Sequence, residues 1–142
     1  MLNEITQDSD IIVAYQATDF QVNAEQPFTL NIGISSQPLE VLYKSSCVNS
    51  AMFITASNPF SQLLSEDENS LRNVKLIDEI KQRSLKYIRG IGQDPERKWP
   101  GEDSILVLGL GLEAAKALGK HYEQNAIVWC DADAVPQLIF LV

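Results

Sequence analysis

Hydrophobic residues along this chain fall into short, nearly continuous runs separated by stretches with helical spacing. The clearest run is Ala51–Ala56 (AMFITA), whose almost unbroken apolar character is typical of a strand buried on both faces. Similar runs predict strands at Ser104–Leu108, Ala126–Cys130 and Leu138–Val142. The alternation in FTLNIGI, directly after Pro27, predicts a further strand with one face in solvent.

Helical spacing predicts four helices between and before these strands. The first covers about Gln7–Ala17, and a short helix, PLEVLYKSS, begins at Pro38, because proline at a first helical position loses no hydrogen bond. Another short helix covers about Leu112–Tyr122, and His121 in its last turn suits the helix dipole.

The helix after Ser65 has the clearest start signal in the chain. Ser65 and Glu68 form a capping box, in which each side chain can bond the other residue's free backbone N–H. Its predicted apolar face consists of Leu71, Val74, Ile77 and Ile80, continued by Leu85 and Ile88. Gly90, Gly92 and Pro95 are expected to end regular structure and to leave an irregular segment through Glu102.

Alternating strands and helices predict an α/β fold, with α+β as the variant, in a single layered domain over residues 1–142. The expected sheet is mixed and flanked by helices. No helix separates the last two predicted strands, so these are expected to form an antiparallel hairpin.

The charge distribution excludes one class of function and opens another. The 142 residues carry a net charge of −8, which argues against nonspecific binding to nucleic acid phosphates. Residues 1–70 hold nine acids and one base, Lys44, so this acidic half could face a basic protein partner. A protein-interaction or regulatory module is therefore one alternative function.

Neither a membrane span nor a secretory signal is visible in the sequence. No apolar run approaches the roughly 20 residues that cross a bilayer, and the first residues, MLNEITQDSD, are acidic where a signal would be basic. These features predict a cytoplasmic protein.

The cysteines and the histidine do not predict a metal site. Cys47 and Cys130 lie far apart in the sequence, and His121 is the sole histidine, so a Cys/His site lacks ligands. Both cysteines are expected to be buried free thiols.

The loop Thr55–Ser61 after the central strand is the leading candidate for a binding site, because open α/β sheets bind ligands at strand ends. Ser57 and Asn58 can donate and accept hydrogen bonds, and Phe60 could cover a planar group. Alternatively, the Asn-Pro turn only caps its own backbone and Phe60 packs on the core.

Polar residues on the following helix extend this hypothesis. Asn69 and Arg72 lie three residues apart near a helix N-terminus, a position that suits a phosphate or carboxylate. The competing interpretation is that Arg72 pairs with Glu68 at the four-residue spacing.

Two further segments supply candidates. Trp99 could stack on an aromatic ligand, or it could shield the edge of the core. If the protein is an enzyme, Glu102 is the predicted general base, acting in hydrolysis or transfer at a phosphate or glycosidic bond. Asn125, between a helix and a strand, either contributes to the site or terminates the helix.

The segment Gly109–Ala114 (GLGLEA) has the layout of a dinucleotide-binding turn. It follows a strand, opens a helix, and precedes a strand ending at Asp131, 20 residues past Gly111. A tight strand-to-helix turn needs glycines for backbone reasons alone, so dinucleotide binding stands as a further alternative.

Several motifs together resemble the domain of unknown function 3293 family of bacterial proteins. They are YQAT at Tyr15–Thr18, the ITASNPFS loop, Asn69, WPGEDSILVLGL and LGKHYEQNAIVW, and the resemblance extends from about Tyr15 to Leu141. The resemblance implies a compact α/β domain without an assigned activity or cofactor. It also groups the following residues into one site: Asn58, Pro59, Asn69, Trp99, Glu102, Gln124 and Asn125.

The leading hypothesis from the sequence is a small-molecule-binding domain. Its predicted ligand is a nucleotide-like anion, with Arg72 on the charge and Trp99 or Phe60 on the planar part. The sequence does not identify a cofactor.

Overall fold

Helices and strands alternate along the chain, as the sequence predicts. The computed structural model describes residues 2–141, with side chains described from residue 10 onward. The helices are α1 (Leu2–Ala17), α2 (Gln37–Ser46), α3 (Glu66–Gln82) and α4 (Leu112–His121). The strands are β1 (Asp19–Val22), β2 (Phe28–Leu30), β3 (Ala51–Ile54), β4 (Tyr87–Gln93), β5 (Glu102–Leu108), β6 (Ala126–Cys130) and β7 (Pro136–Phe140), and a short 3-10 turn covers Pro59–Ser61.

All seven strands join one sheet in the order β2-β1-β4-β5-β3-β6-β7, and each neighbouring pair is antiparallel. The predicted α/β class and the closing β6–β7 hairpin are confirmed, whereas the prediction of a mixed sheet is wrong. Strands joined through a helix do run in the same direction, but another strand always lies between them. Thus β5 separates β3 from β4, and β3 separates β5 from β6.

The segment from β3 to β6 therefore contains two interleaved split βαβ units. The chain order is β3-α3-β4-β5-α4-β6, and the spatial order of its strands is β4-β5-β3-β6. This is the connectivity of a ferredoxin-like sheet. β1, β2 and β7 extend that sheet at its two edges.

Both faces of the sheet are covered, so β3 is buried on both sides as its continuous apolar run predicts. Met52 and Ile54 point toward α3 and α4, where they pack with Leu76 and Leu118. Ala51 and Phe53 point to the opposite face, where the core is completed by Leu39 and Tyr43 of α2. The alternation follows from the two-residue period of a strand.

The predicted start of α3 is confirmed. The Ser65 hydroxyl accepts a hydrogen bond from the Glu68 N–H at 3.1 Å and donates one to the Glu68 carboxylate at 3.0 Å. The predicted apolar face is partly wrong, because Leu71 and Val74 are exposed. Leu76 is buried beside Ile77 and Ile80, so the buried stripe lies toward the C-terminal half of α3.

The main error in the predicted elements concerns β4. Gly90 and Gly92 were expected to end regular structure, but they lie inside the strand Tyr87–Gln93. A Cβ on Gly90 would overlap the backbone carbonyl oxygen of Gln21 on β1. Glycine is needed here because the backbones of β1 and β4 approach each other closely at this position.

The cysteines differ from each other in environment. Cys130 is buried, as predicted, and burial raises the pKa of its thiol to about 12. The prediction that Cys47 is buried is wrong. Cys47 is exposed because it caps the C-terminus of α2 in the left-handed conformation, with φ of 56°.

Candidate functional site

The Asn58 loop lies at the edge of the sheet where β3 ends and β5 and β6 begin. Because β3 is antiparallel to both neighbours, the residues after Ile54 run beside the start of β5 and the start of β6. The Thr55 hydroxyl donates to the Asp103 carbonyl at 2.6 Å, and Gln124 Nε2 donates to the Ser57 carbonyl at 3.1 Å. Segments distant in sequence therefore meet at this edge.

A cavity of about 670 Å³ opens at this edge. Its lining includes six of the eight residues that the sequence predicts for the site: Ser57, Asn58, Asn69, Trp99, Glu102 and Asn125. Phe60 and Arg72 lie outside the lining, so the structure does not bring these two to the cavity.

Two asparagines organise the polar side of the cavity. The Asn58 backbone N–H donates to Asn69 Oδ1, and Asn69 Nδ2 donates back to Asn58 Oδ1, both at 2.9 Å. Asn58 Oδ1 also accepts from the Leu64 N–H at 3.0 Å, and Asn58 Nδ2 donates to Glu102 Oε2 at 2.7 Å. One amide thus fixes the loop, the start of α3 and the carboxylate of Glu102.

The loop itself has an unusual backbone. Asn58, Phe60 and Ser61 have φ values of 50°, 50° and 60°, in the left-handed region that residues other than glycine seldom occupy. Such conformations persist where surrounding contacts determine them, and they concentrate at functional sites.

Arg72 and Asn73 of α3 hold the first residues of the loop, Ala56 and Ser57. Arg72 donates through Nε to the Ala56 carbonyl at 2.6 Å and through Nη2 to the Tyr122 carbonyl at 2.7 Å. Its ion pair is with Glu123 at 3.5 Å, so the predicted pair with Glu68 is wrong. Asn73 Oδ1 accepts from the Ala56 N–H, and Asn73 Nδ2 donates to the Ser57 hydroxyl, both at 2.9 Å.

Phe60 and Asn125 are two predicted site residues that connect the loop to the segment after α4. Phe60 is 47% exposed, and its N–H donates to the Glu123 carbonyl at 2.6 Å, which ties the loop to the segment after α4. Asn125 Nδ2 donates to the Ser61 hydroxyl at 2.8 Å. The prediction that Asn125 terminates α4 is wrong, because Glu123, with φ of 60°, is the left-handed residue after the helix.

Trp99 and Glu102 also line the cavity. Trp99 is partly buried in the segment between β4 and β5, where Asp94 Oδ2 accepts from the Lys98 N–H at 2.6 Å. Glu102 is the first residue of β5, opposite Gly92 of β4. The irregular segment, which was expected to run through Glu102, therefore covers residues 94–101, because a strand begins at Glu102.

The wall contributed by α1, β1 and β3 is absent from the predicted site. Ile11, Ala14, Tyr15, Phe20 and Phe53 line the cavity on the α1 side of the sheet. The Tyr15 hydroxyl donates to the Ala126 carbonyl at 3.1 Å, which fixes the end of α1 against β6.

Asn73 was also missed, although a signal was available. It lies four residues after Asn69, so both share one helix face. For the α1 wall, the YQAT motif at Tyr15–Thr18 was a signal, but the meeting of this segment with the Asn58 loop depends on tertiary packing.

Burial is the main influence on the electrostatics of Glu102. Burial raises the pKa of Glu102 above its ordinary value, and the hydrogen bond from Asn58, which favours the ionised form, opposes this shift. The pKa of Tyr15 is also raised, first by burial and then by the charge of Glu102. The cavity therefore contains a carboxyl group whose proton is held more tightly than in water.

This shift predicts a pH-dependent gain in stability for Glu102→Gln. A carboxyl with a raised folded-state pKa stabilises the fold below its unfolded pKa of about 4.3, and this contribution is lost as the pH rises through the folded pKa. We expect the variant to melt at a higher temperature than the wild type at neutral pH, with the difference shrinking toward about pH 4.

Thermal unfolding across that range measures the effect. The exposed Glu25, at the turn between β1 and β2, provides the control Glu25→Gln, which changes net charge equally. A Glu102→Gln protein that is less stable than the wild type at every pH would contradict the predicted cost of burying the charge.

The glycines at Gly109–Ala114 lie at the opposite end of β5 from the cavity. Gly109 has φ of 82°, and a Cβ there would contact Val48 at 3.1 Å, whereas a Cβ on Gly111 would meet no atom within 4 Å. In a dinucleotide-binding unit the two flanking strands are neighbours, but β3 separates β5 from β6 here. Backbone geometry accounts for Gly109.

Over residues 2–141, no helix combines the length and the apolar character that a bilayer crossing requires. Within the described side chains, no three His, Cys, Asp or Glu residues are grouped so that they could hold a metal ion.

Comparison with known proteins agrees with the motif resemblance. No curated protein and no solved structure matches the chain. A family model described as "protein of unknown function (DUF3293)" matches residues 54–127, just over half of the chain. The matched region contains the Asn58 loop, α3, Trp99, Glu102 and Asn125. The chain therefore belongs to the DUF3293 family of proteins of unknown function.

Proposed function

We propose that this protein binds a small polar molecule in the cavity beside the Asn58 loop, and that Glu102 is the group that recognises it. The observation that carries the proposal is the Glu102 carboxylate, which borders a cavity of about 670 Å³ and is held at 2.7 Å by Asn58 Nδ2. A pocket of a few hundred Å³ with a few convergent polar groups is typical of small-molecule sites.

The charge of the lining favours a neutral or cationic ligand over the anion that the sequence predicts. Among the described residues that line the cavity, the charged ones are Glu66, Glu102 and Asp103, and none is lysine or arginine. Arg72 is the predicted partner of an anion. Its guanidinium instead donates to two backbone carbonyls and forms an ion pair with Glu123. An anionic ligand would face repulsion without a compensating cation.

The proposal assigns different roles to the predicted site residues. Asn58 and Asn69 position Glu102 and the loop, because their side-chain atoms are largely engaged with each other and with the backbone. Trp99 forms part of the wall and can cover an apolar or planar part of the ligand.

A thermal-shift screen tests the proposal with a panel of neutral, cationic and anionic metabolite-sized compounds, including nucleosides and their phosphates. We expect stabilisation by neutral or cationic compounds, and a loss of about tenfold or more in affinity for these compounds in Glu102→Gln. Glu25→Gln is the matched control and should retain affinity. The proposal fails if no compound binds, or if compounds that bind do so equally well to Glu102→Gln.

A further inference from the structure

The cavity has two chemically different sides. On one side lie Glu102, Asn58 and the loop hydroxyls, and on the other lie aromatic rings. Phe20 and Phe53 are each 4% exposed and meet edge to face, with ring centroids 5.2 Å apart. Tyr15 packs on Phe20 at 6.1 Å, and Ile11 and Ala14 continue this surface along α1. A ligand that fills both sides needs a polar head and an apolar body.

The hydrogen-bonding groups on the polar side determine what kind of head fits. The amide side chains there already donate within the protein: Asn58 Nδ2 to Glu102, Asn125 Nδ2 to Ser61, and Gln124 Nε2 to two backbone carbonyls. The Ser57 and Ser61 hydroxyls accept from Asn73 and Asn125. On the α1 side, the Tyr15 hydroxyl donates to the Ala126 carbonyl.

In contrast, acceptor capacity remains on Glu102. Its Oε2 accepts from Asn58, and among the described residues no group donates to its Oε1. A carboxylate oxygen has no proton to give and accepts more than one hydrogen bond when ionised. The free carboxylate oxygen of Glu102 therefore favours a ligand head that donates hydrogen bonds.

We propose that the ligand is a nitrogen base, such as a primary amine, whose N–H groups meet Glu102 and whose apolar body lies against Phe20, Phe53 and Tyr15. This inference rests on the proposed function, since it names the ligand class for the same cavity. A charged N–H head donates a charge-assisted hydrogen bond to the Glu102 carboxylate. The hydrogen bond that a neutral head donates to the same carboxylate is weaker.

Fragments that share one body and differ in the head test this directly. The probes are benzylamine, benzyl alcohol and benzoate, together with methylamine, which has the head without the body. Titrations followed by amide NMR shifts of the 15N-labelled protein report both affinity and location. We expect benzylamine to shift amides around Asn58, Leu64 and Glu102, benzyl alcohol and methylamine to bind more weakly, and benzoate to bind most weakly.

Two variants separate the head from the body. Glu102→Gln should reduce benzylamine affinity by about tenfold or more while changing benzyl alcohol affinity little, and Glu25→Gln should change neither. Ala14→Leu fills space at the apolar wall, and leucine is well tolerated in a helix. It should weaken benzylamine severalfold and leave methylamine unchanged.

The inference is overturned if benzoate binds the cavity as tightly as benzylamine, or if Glu102→Gln leaves benzylamine affinity unchanged. It is also overturned if none of the four fragments binds while the wider screen finds ligands that depend on Glu102, in which case the proposed function still stands. If neither the fragments nor the screen gives a ligand, both proposals fail.

Discussion

Replacing Gly90 with alanine is expected to lower the free energy of unfolding by about 3 kcal/mol. Gly90 lies in the interior of β4, opposite Val22 of β1. A Cβ at this position would overlap the carbonyl oxygen of Gln21 and approach the Phe53 ring at 3.0 Å. The carbonyl belongs to a paired strand, so relief requires β1 to move away from β4, which breaks ladder hydrogen bonds.

Gly92→Ala is the matched control, because it is the same change two residues along the same strand. A Cβ there would lie 3.8 Å from Thr18 Cγ2 and 4.0 Å from Phe20 Cδ1, which are ordinary contacts. We expect this variant to stay within about 0.5 kcal/mol of the wild type in urea denaturation. Equal stability of the two variants would show that β1 does not pack against β4 as the structure has it.

Local elements could be predicted where a residue type has one dominant structural role at its position, such as capping a helix. Ser65 accepts a bond from the Glu68 N–H, Pro38 lies in the first turn of α2, and β3 has an unbroken apolar run because both of its faces are buried. These signals act between near neighbours in the chain, so the sequence displays them.

The direction and neighbours of the strands could not be predicted in the same way. Alternation of strands and helices suggested parallel neighbours. The insertion of β5 between β3 and β4 depends instead on contacts between residues far apart in the sequence. The glycines of β4 misled for a related reason. Gly90 taken alone is typical of a break in regular structure, but glycine is required there once β1 pairs with β4.

For the candidate site, the sequence supplied the side chains but not their partners. The Asn58 loop, Asn69 and Glu102 were identified as polar residues at strand and helix ends, and six of the eight predicted residues line one cavity. Helical spacing suggested Glu68 for Arg72, whereas its partners are carbonyls of Ala56 and Tyr122, which only tertiary structure brings near. A ligand for these residues stays a proposal.

Replacing Asn58 with alanine is expected to have the largest combined effect on stability and on the site. The change leaves the Leu64 N–H, Asn69 Nδ2 and Glu102 Oε2 without their partner. Unpaired, partly buried polar groups and an alanine in the left-handed conformation together should cost about 2–4 kcal/mol of unfolding free energy. Urea denaturation measures the loss, and the loop should also lose protection from amide hydrogen exchange.

Two further substitutions at Asn58 separate backbone from side-chain effects. Asn58→Gly removes the same hydrogen bonds but accepts φ of 50°, so it should be more stable than Asn58→Ala by about 1 kcal/mol. Asn58→Asp keeps an acceptor for Leu64 and places a second carboxylate against Glu102, which should raise the pKa of Glu102 further. Its stability deficit should therefore shrink on acidification, because one shared proton restores the hydrogen bond. If instead Asn58→Ala unfolds like the wild type and Asn58→Asp shows no pH-dependent deficit, Asn58 does not hold Glu102, and the carboxylate has no fixed position from which to recognise a ligand.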